Sequence, residues 1–262
     1  MSGGVPRGAI LAVAALLALL AVPAAAVVIR QGNLRIGVLA QVQPFKLPRK
    51  KPAPIAVFLS GHVGTVNGEV PPQLQRMTIR VNRHGLLKSL GLPACRLSQI
   101  QPGSTNHALQ QCSDALVGSG RFWASVVFPD QRPYPTRGRL LVFNGRSEGK
   151  AMIFAHIYTT QPFNSSFVIP FRIKRISKGP YGTELAASLP KALGNWGFVD
   201  RIKLTLRRKY RYRDKERSYF NAACPALPGT DSASYPLAKA SFYFAQGESI
   251  TATVNKACRV LR

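Results

Sequence analysis

The clearest chemical pattern in this chain is a basic run at 207–217, RRKYRYRDKER, in which cations alternate with aromatic rings. Alternate residues of an extended strand point to opposite faces. One face would carry Arg207, Lys209, Arg211 and Arg213, and the other would carry Arg208, Tyr210 and Tyr212. Cations interleaved with rings can bind phosphates while the rings stack on bases or sugars. The simpler interpretation is an exposed hairpin, turning at 214–216, whose charges keep an edge strand from pairing with other chains.

Paired carboxylates would indicate a different chemistry, because a glycosidase needs two acids facing each other across a cleft. The ten acidic residues are scattered along the chain: Glu69, Asp114, Asp130, Glu148, Glu184, Asp200, Asp214, Glu216, Asp231 and Glu248. Most of them neighbour Gly, Pro or Arg in contexts typical of turns. A secreted polysaccharide hydrolase therefore stays an alternative hypothesis, which requires folding to bring two of these acids together.

The histidines show no metal-ligand spacing. His62, His84, His107 and His156 each lie more than four residues from one another and from any cysteine. Neither an H-E-x-x-H motif, a glycine-rich phosphate-binding loop nor a G-x-S-x-G nucleophile motif occurs. The sequence predicts no metal site, no cofactor and no defined small-molecule substrate, and it favours a non-enzymatic protein.

The four cysteines are expected to form disulfides rather than a metal site. No C-x-x-C motif occurs, and Cys95, Cys112, Cys224 and Cys258 are an even number in a chain expected to be exported. Three pairings are open in principle. Sequential pairing is favoured, because the first pair brackets a polar excursion and the second links the end of one strand to the last strand.

Alternating hydrophobicity predicts strands as the elements that position these residues. In 75–82, Met77, Ile79 and Val81 share one face and polar residues share the other. The segments 201–207, 240–244 and 249–254 repeat the pattern, and the last two form a predicted hairpin around Gly247. A short helix through 108–112, capped within Ser104-Thr105-Asn106, is predicted in the first disulfide loop.

Other strand-like runs are apolar on both faces, as in central strands. These runs are 55–59, 122–128, 140–143, 152–158 and 167–173. Many short strands with recurrent turns predict an all-β fold, an antiparallel β-sandwich in one large or two small copies. The sandwich is predicted over 55–262, with a sub-boundary near 162–182. The preceding 27–54 would hold an N-terminal strand, 34–42, and a basic, proline-rich link at 44–54.

The N-terminal 26 residues have the pattern of a signal peptide. Arg7 precedes an apolar run from Ala9 to Val22, and small residues at 24–26 provide a cleavage site. The run is shorter than the roughly 20 residues that span a bilayer. We therefore expect 1–26 to be cleaved and the mature protein to be secreted or held at the cell envelope.

The charge balance favours anionic partners. The chain carries 36 basic and 10 acidic residues, a net charge of +26, which loss of Arg7 would lower by one. Such a charge attracts nucleic acid, acidic lipids or acidic polymers. Outside the cytoplasm, anionic envelope polymers and acidic lipid surfaces are the more available partners.

The order of several short segments resembles a group of uncharacterised exported proteins of high-GC actinobacteria. These segments are 92–95 (LPAC), 111–120 (QCSDALVGSG), 143–145 (FNG), 181–183 (YGT) and the region of Cys224 and Cys258. The resemblance implies export and disulfide bonding, and it implies no activity or ligand. Ser113 departs from the glycine that follows the second cysteine in many such sequences.

The sequence thus predicts a secreted or envelope-associated, non-enzymatic β-sandwich with a binding or structural role, engaging anionic envelope polymers. Two alternatives remain: the hydrolase with two carboxylates, and extracellular nucleic-acid binding through the hairpin at 207–217.

Overall fold

The computed structural model describes residues 25–128, 131–189 and 197–261. The predicted signal peptide, 1–26, lies outside the described residues except for Ala25 and Ala26, with which the first strand begins. That strand precedes the one predicted at 34–42, and the two form a hairpin.

Within the described residues the chain forms eighteen strands and two short helices. The strands are β1 (Ala25–Gln31), β2 (Leu34–Gln43), β3 (Lys46–Leu47), β4 (Ala53–Pro54), β5 (Ala56–Thr65), β6 (Leu74–Asn82), β7 (Gly85–Leu87), β8 (Leu116–Val126), β9 (Tyr134–Ser147), β10 (Lys150–Thr159), β11 (Ser165–Arg175), β12 (Tyr181–Ser188), β13 (Gly197–Leu206), β14 (Lys209–Tyr212), β15 (Lys215–Ser218), β16 (Phe220–Ala222), β17 (Ser232–Phe244) and β18 (Ser249–Val260). The helices are α1 (Leu97–Ile100) and α2 (Thr105–Cys112), followed by a 3-10 turn at Ser113–Ala115.

The all-β prediction is confirmed, but the predicted sandwich is not. Thirteen strands form one hydrogen-bonded sheet in the order β1-β2-β5-β13-β8-β9-β10-β11-β12-β6-β17-β18-β3. Every pairing in it is antiparallel except that of β18 with β3. The twist between neighbouring strands accumulates across the sheet. The sheet therefore curls until β1 lies against β18, and its inner face surrounds a common interior.

The predicted alternation sets the inner face. Met77, Ile79 and Val81 of β6 point into the interior, as do Ile202 and Leu204 of β13. The predicted hairpin is also present, with Phe242 of β17 opposite Ile250 of β18. Near the open edge of the sheet, apolar residues of β1 and β2 pack with Phe244 and Ile250, so the two ends of the curled sheet share one core cluster.

The outer face is covered at one place by the two helices. Leu141 and Phe143 of β9 are fully buried there, which explains why that strand is apolar on both sides. Of the capping residues predicted at 104–106, Ser104 caps α2 by accepting a hydrogen bond from the His107 amide at 3.2 Å. The Cys95–Cys112 disulfide joins a residue two positions before α1 to the last residue of α2.

One end of the curled sheet is closed by a small three-stranded sheet, β4-β16-β7. Phe220 and Ala222 of β16 are buried there. The amide of Ile55 donates to the Phe220 carbonyl at 3.0 Å, and the Cys224 amide donates to the Pro48 carbonyl at 2.9 Å. The Cys224–Cys258 disulfide ties this floor to β18.

The basic, proline-rich segment at 44–54 is part of this floor rather than a free link. It contributes β3 and β4, and Leu47 is almost fully buried. The Arg49 guanidinium donates to the carbonyls of Ala226 at 2.6 Å, Thr230 at 2.8 Å and Leu227. The proline content had suggested a connection, but carbonyl groups of the 226–230 loop fix the segment in place.

The sub-boundary predicted near 162–182 falls within the continuous sheet. The strands β11 and β12 flank the turn at 176–180 and pair with each other, with Lys174 opposite Glu184. The turn at 176–180 connects these two neighbouring strands of the sheet.

Candidate ligand cavity

The curled sheet encloses an apolar cavity of about 470 Å³. Eleven of its strands contribute inward residues, and the floor contributes Leu86, Leu87 and Phe220. The apolar lining includes Val57, Leu59, Phe122, Leu140, Ile153, Ala155, Ile157, Phe167, Ile169, Leu185, Leu204, Ala240 and Phe242. Ligand pockets usually hold about 300–1,000 Å³ and are mostly apolar, so the volume and the lining suit one small apolar molecule.

Small inward side chains create this space. Gly61, Ala124, Ala155 and Ala240 lie at interior positions where a larger aliphatic residue would fill the centre. A core normally packs to the density of an organic crystal, and these residues prevent that packing. The sequence carried this signal, since small residues recur on the inward face of several strands, but the face could be assigned only once the strands were closed around one interior.

The cavity reaches the surface at the end opposite the floor. Phe163 lines the cavity and is 57% exposed. The segment 66–73 also crosses this end, because it joins β5 to β6, which are not neighbours in the sheet. Pro71 and Pro72 of this segment line the cavity. We call this end the mouth.

Polar groups near the mouth are bonded within the chain. The hydroxyls of Thr136 and Thr159 lie 2.5 Å apart, and each contacts the Gln161 carbonyl. The Ser125 hydroxyl donates to Asp200 at 2.9 Å. Burial raises the pKa of Asp200, while the Ser125 hydrogen bond and Arg201 oppose that shift.

The acidic residues that line the cavity do not support the hydrolase hypothesis. Asp200 is the only carboxylic acid among the described residues that line the cavity. Two facing carboxyl groups are needed for glycoside hydrolysis, so the described interior offers no such pair.

The basic run forms a hairpin of β14 and β15 beside the floor. The predicted faces are present: Lys209 and Arg211 are exposed, whereas Tyr210 and Tyr212 are half-buried. The Tyr210 hydroxyl donates to the carbonyls of Lys88 and Leu90, at 3.1 and 3.0 Å. Burial raises the pKa of this hydroxyl.

The ring of Tyr212, the second aromatic residue of the run, also has contacts within the chain. The guanidinium groups of Arg213 and Arg217 lie 5.3 and 5.4 Å from its centroid. Gly91, whose φ is +82°, packs against the ring so closely that a β-carbon there would lie 2.2 Å from it. Because both rings have intrachain partners, this geometry gives bases no free stacking platform of the kind that single-stranded nucleic-acid binders use.

The basic side chains of the run differ in their contacts and exposure. Arg208 donates to the Asp114 carbonyl at 3.0 Å, and Lys209 pairs with Glu216 at 2.9 Å. Arg207 and Lys209 line a surface groove of about 500 Å³ together with Val42–Phe45 and Pro54–Ala56. Arg211 and Arg213 are exposed. The run therefore presents scattered cations rather than one built anion site.

The histidines have structural environments. His156 is fully buried beneath α2, and its Nε2 lies 3.0 Å from the Gly103 carbonyl, to which it donates. Burial lowers the pKa of His156. Among the described residues, no three His, Cys, Asp or Glu side chains cluster as metal ligands would.

The chain matches no protein-family profile, no curated protein and no solved structure at a significant level. In the part of the chain that the structure describes, no helix has the length and hydropathy needed to span a membrane. The sequential disulfide pairing that was favoured from the sequence is present, and two disulfides fit an oxidising, extracytoplasmic location.

Proposed function

We propose that this protein binds and carries one apolar or amphiphilic molecule of lipid type, without catalysis, outside the cytoplasm. The observation that carries the proposal is the apolar cavity of about 470 Å³ with access at the mouth. The signal-peptide pattern at 1–26 supports export of the mature chain, and the two disulfides are consistent with it.

Energetics support an occupant for this space. Core cavities cost about 24 cal/mol per Å³, which gives on the order of 10 kcal/mol for a dry space of this size. Whole domains are stable by only about 5–15 kcal/mol. A cavity of such cost suits a protein whose ligand replaces the missing contacts.

Binding of cis-parinaric acid, a fluorescent fatty acid, tests the proposal. We expect saturable one-to-one binding by the wild-type protein, and loss of it when the interior is filled by Ala155→Trp or Ala240→Trp. Ala151→Trp is the matched control, because Ala151 lies on the same strand as Ala155 and is exposed.

The outcome is clear in either direction. If the filled variants keep their cooperative unfolding and still bind the probe as tightly as the Ala151 variant, the cavity is not the binding site. Extraction of the purified protein with organic solvent, followed by mass spectrometry, would identify a ligand that copurifies with it.

A further inference from the structure

A second surface feature lies on the outer face of the sheet. Six exposed cations project from adjacent strands there, and we call them the basic band: Arg35, Arg121, Arg137, Arg139, Arg201 and Lys203. They belong to β2, β13, β8 and β9, with β5 between β2 and β13. Their inward neighbours, such as Phe122 and Leu204, line the cavity, so the band faces outward; of the six, only Arg201, beside the register shift in β13, also borders the cavity.

The strand register places these cations directly beside one another. Lys203 is opposite Arg121, and Arg121 is opposite Arg139, so three cations form one row across three strands. In the next row, Arg201 and Arg137 flank Trp123. The Arg201 guanidinium lies 6.0 Å from the Trp123 ring centroid.

This arrangement is unfavourable for the free protein. Like charges directly opposite each other destabilise a sheet. The ion pairs found among the described residues, Arg80–Glu184 and Lys209–Glu216, lie elsewhere. The repulsion within the row would be relieved by an anionic partner that covers the band.

The band adjoins the mouth, where apolar side chains are exposed. Arg35, Arg137 and Arg201 lie toward the strand ends at the mouth. At the same end, the exposed residues Val66, Val70, Tyr134 and Phe163 form what we call the apolar rim; their exposed fractions are 56, 49, 39 and 57%. Cations next to exposed apolar and aromatic groups are the usual composition of a surface that lies in a membrane interface.

We propose that the protein docks on an anionic lipid bilayer through the mouth and the adjoining outer face that carries the basic band. Acidic phospholipid headgroups would neutralise the basic band, while the apolar rim would enter the boundary between headgroups and acyl chains. An acidic polymer or a nucleic acid could cover the band but would leave the rim in water, so a bilayer matches more of the surface. The inference rests on the proposed function in one respect, that the docked mouth gives an apolar ligand a path from the bilayer to the cavity.

Vesicle sedimentation tests this docking with the full mature chain, its disulfides intact. Vesicles of phosphatidylcholine alone are compared with vesicles that also contain phosphatidylglycerol. We expect binding to the anionic vesicles, weakening as salt rises. Each basic residue near an anionic leaflet contributes about 1 kcal/mol, so the triple variant Arg121→Gln, Arg139→Gln, Lys203→Gln should partition roughly 100-fold more weakly.

A matched control removes the same charge at the other end. Lys50, Lys51 and Lys178 are exposed and lie in segments at the floor end. The triple variant Lys50→Gln, Lys51→Gln, Lys178→Gln has the same net charge as the band variant, and we expect it to bind anionic vesicles nearly as well as the wild type. Equal losses in the two triple variants would overturn the docking proposal in favour of diffuse attraction.

Two further experiments test the apolar contribution to vesicle binding and the choice of a bilayer over other polyanions. Phe163→Ser with Val70→Ser should weaken vesicle binding at high salt, where the apolar contribution remains. Binding to duplex DNA or to an acidic polysaccharide, without binding to anionic vesicles, would overturn the docking proposal.

Probe binding without vesicles separates this proposal from the ligand proposal. The band variant should still bind cis-parinaric acid in solution, because its changed residues point away from the cavity. If the wild type binds the probe but does not associate with anionic vesicles, the docking proposal is refuted and the ligand proposal stands. Vesicle association without probe binding would refute the ligand proposal alone.

Discussion

At the scale of single residues, Lys256 is a cation at a buried, largely apolar position. It is only 3% exposed, and its ammonium lies 5.5 Å from the centroid of the Phe45 ring. Burial lowers the pKa of Lys256. No ion pair to it is found among the described residues, so its burial costs free energy that the Phe45 contact only partly offsets.

Substitution of this lysine tests that cost. Lys256→Met retains the length and removes the charge, so we expect the free energy of unfolding to rise by about 1–2 kcal/mol in urea titrations. Lys150→Met, at an exposed position, should leave it nearly unchanged. A decrease for Lys256→Met would show instead that the ammonium has a stabilising partner.

Three histidines give the fold a pH dependence of known sign. The pKa of His62 is lowered by burial and by Arg35 and Arg201, and burial also lowers those of His84 and His156. The unfolded chain therefore takes up protons before the folded chain does. Stability should fall as the pH drops through the unfolded value of about 6.5, and the loss should continue until the lowered folded pKa values are reached.

Urea midpoints between about pH 8 and pH 5 would measure this loss. His156→Gln keeps an N–H donor but cannot titrate, so its midpoint should depend less steeply on pH than that of the wild type. A wild-type midpoint that rises on acidification would contradict the assigned directions.

At the scale of elements, the two disulfides fix different parts of the structure. The loops that they close span sequence separations of 17 and 34. Each disulfide is expected to contribute about 2–4 kcal/mol. Cys95–Cys112 holds the helices on the outer face, whereas Cys224–Cys258 holds the cavity floor against β18.

Paired alanine variants should therefore separate stability from binding. Cys95→Ala with Cys112→Ala and Cys224→Ala with Cys258→Ala should each lower the free energy of unfolding. Only the second pair should also weaken cis-parinaric acid binding, because the buried Phe220 beside it forms the floor. Equal effects of the two pairs on probe binding would argue against the floor assignment.

At the scale of the whole molecule, ligand and fold are linked through the cavity. A ligand that binds only the folded state stabilises it, by about 2.7 kcal/mol at a free concentration of 100 times Kd. We expect the thermal midpoint to rise with added fatty acid in the wild type and to stay constant in Ala155→Trp. A rise of the same size in both proteins would place the ligand outside the cavity.

The local elements of this protein follow from its sequence. Alternation in 75–82 and 249–254 specified strands and their buried faces, and the polar residues 104–106 indicated where α2 begins, because these features depend on neighbours along the chain. The sequential disulfide pairing also followed, since the first pair brackets a polar excursion and the second links the end of one strand to the last strand. The cation alternation at 207–213 indicated an exposed basic face, and the strand within it, β14, covers Lys209–Tyr212.

Only the tertiary structure decided how those strands combine. A strand with one apolar face fits a sandwich or a curled sheet equally well, and the choice depends on which distant strands pair, such as β13 with β5 and β8. Because these pairings close the sheet around one interior, alanines and glycines from distant strands line a common cavity. The same closure joined Arg121, Arg139 and Lys203, up to 82 residues apart in sequence, into one basic row, because strand register and not chain distance sets which side chains meet.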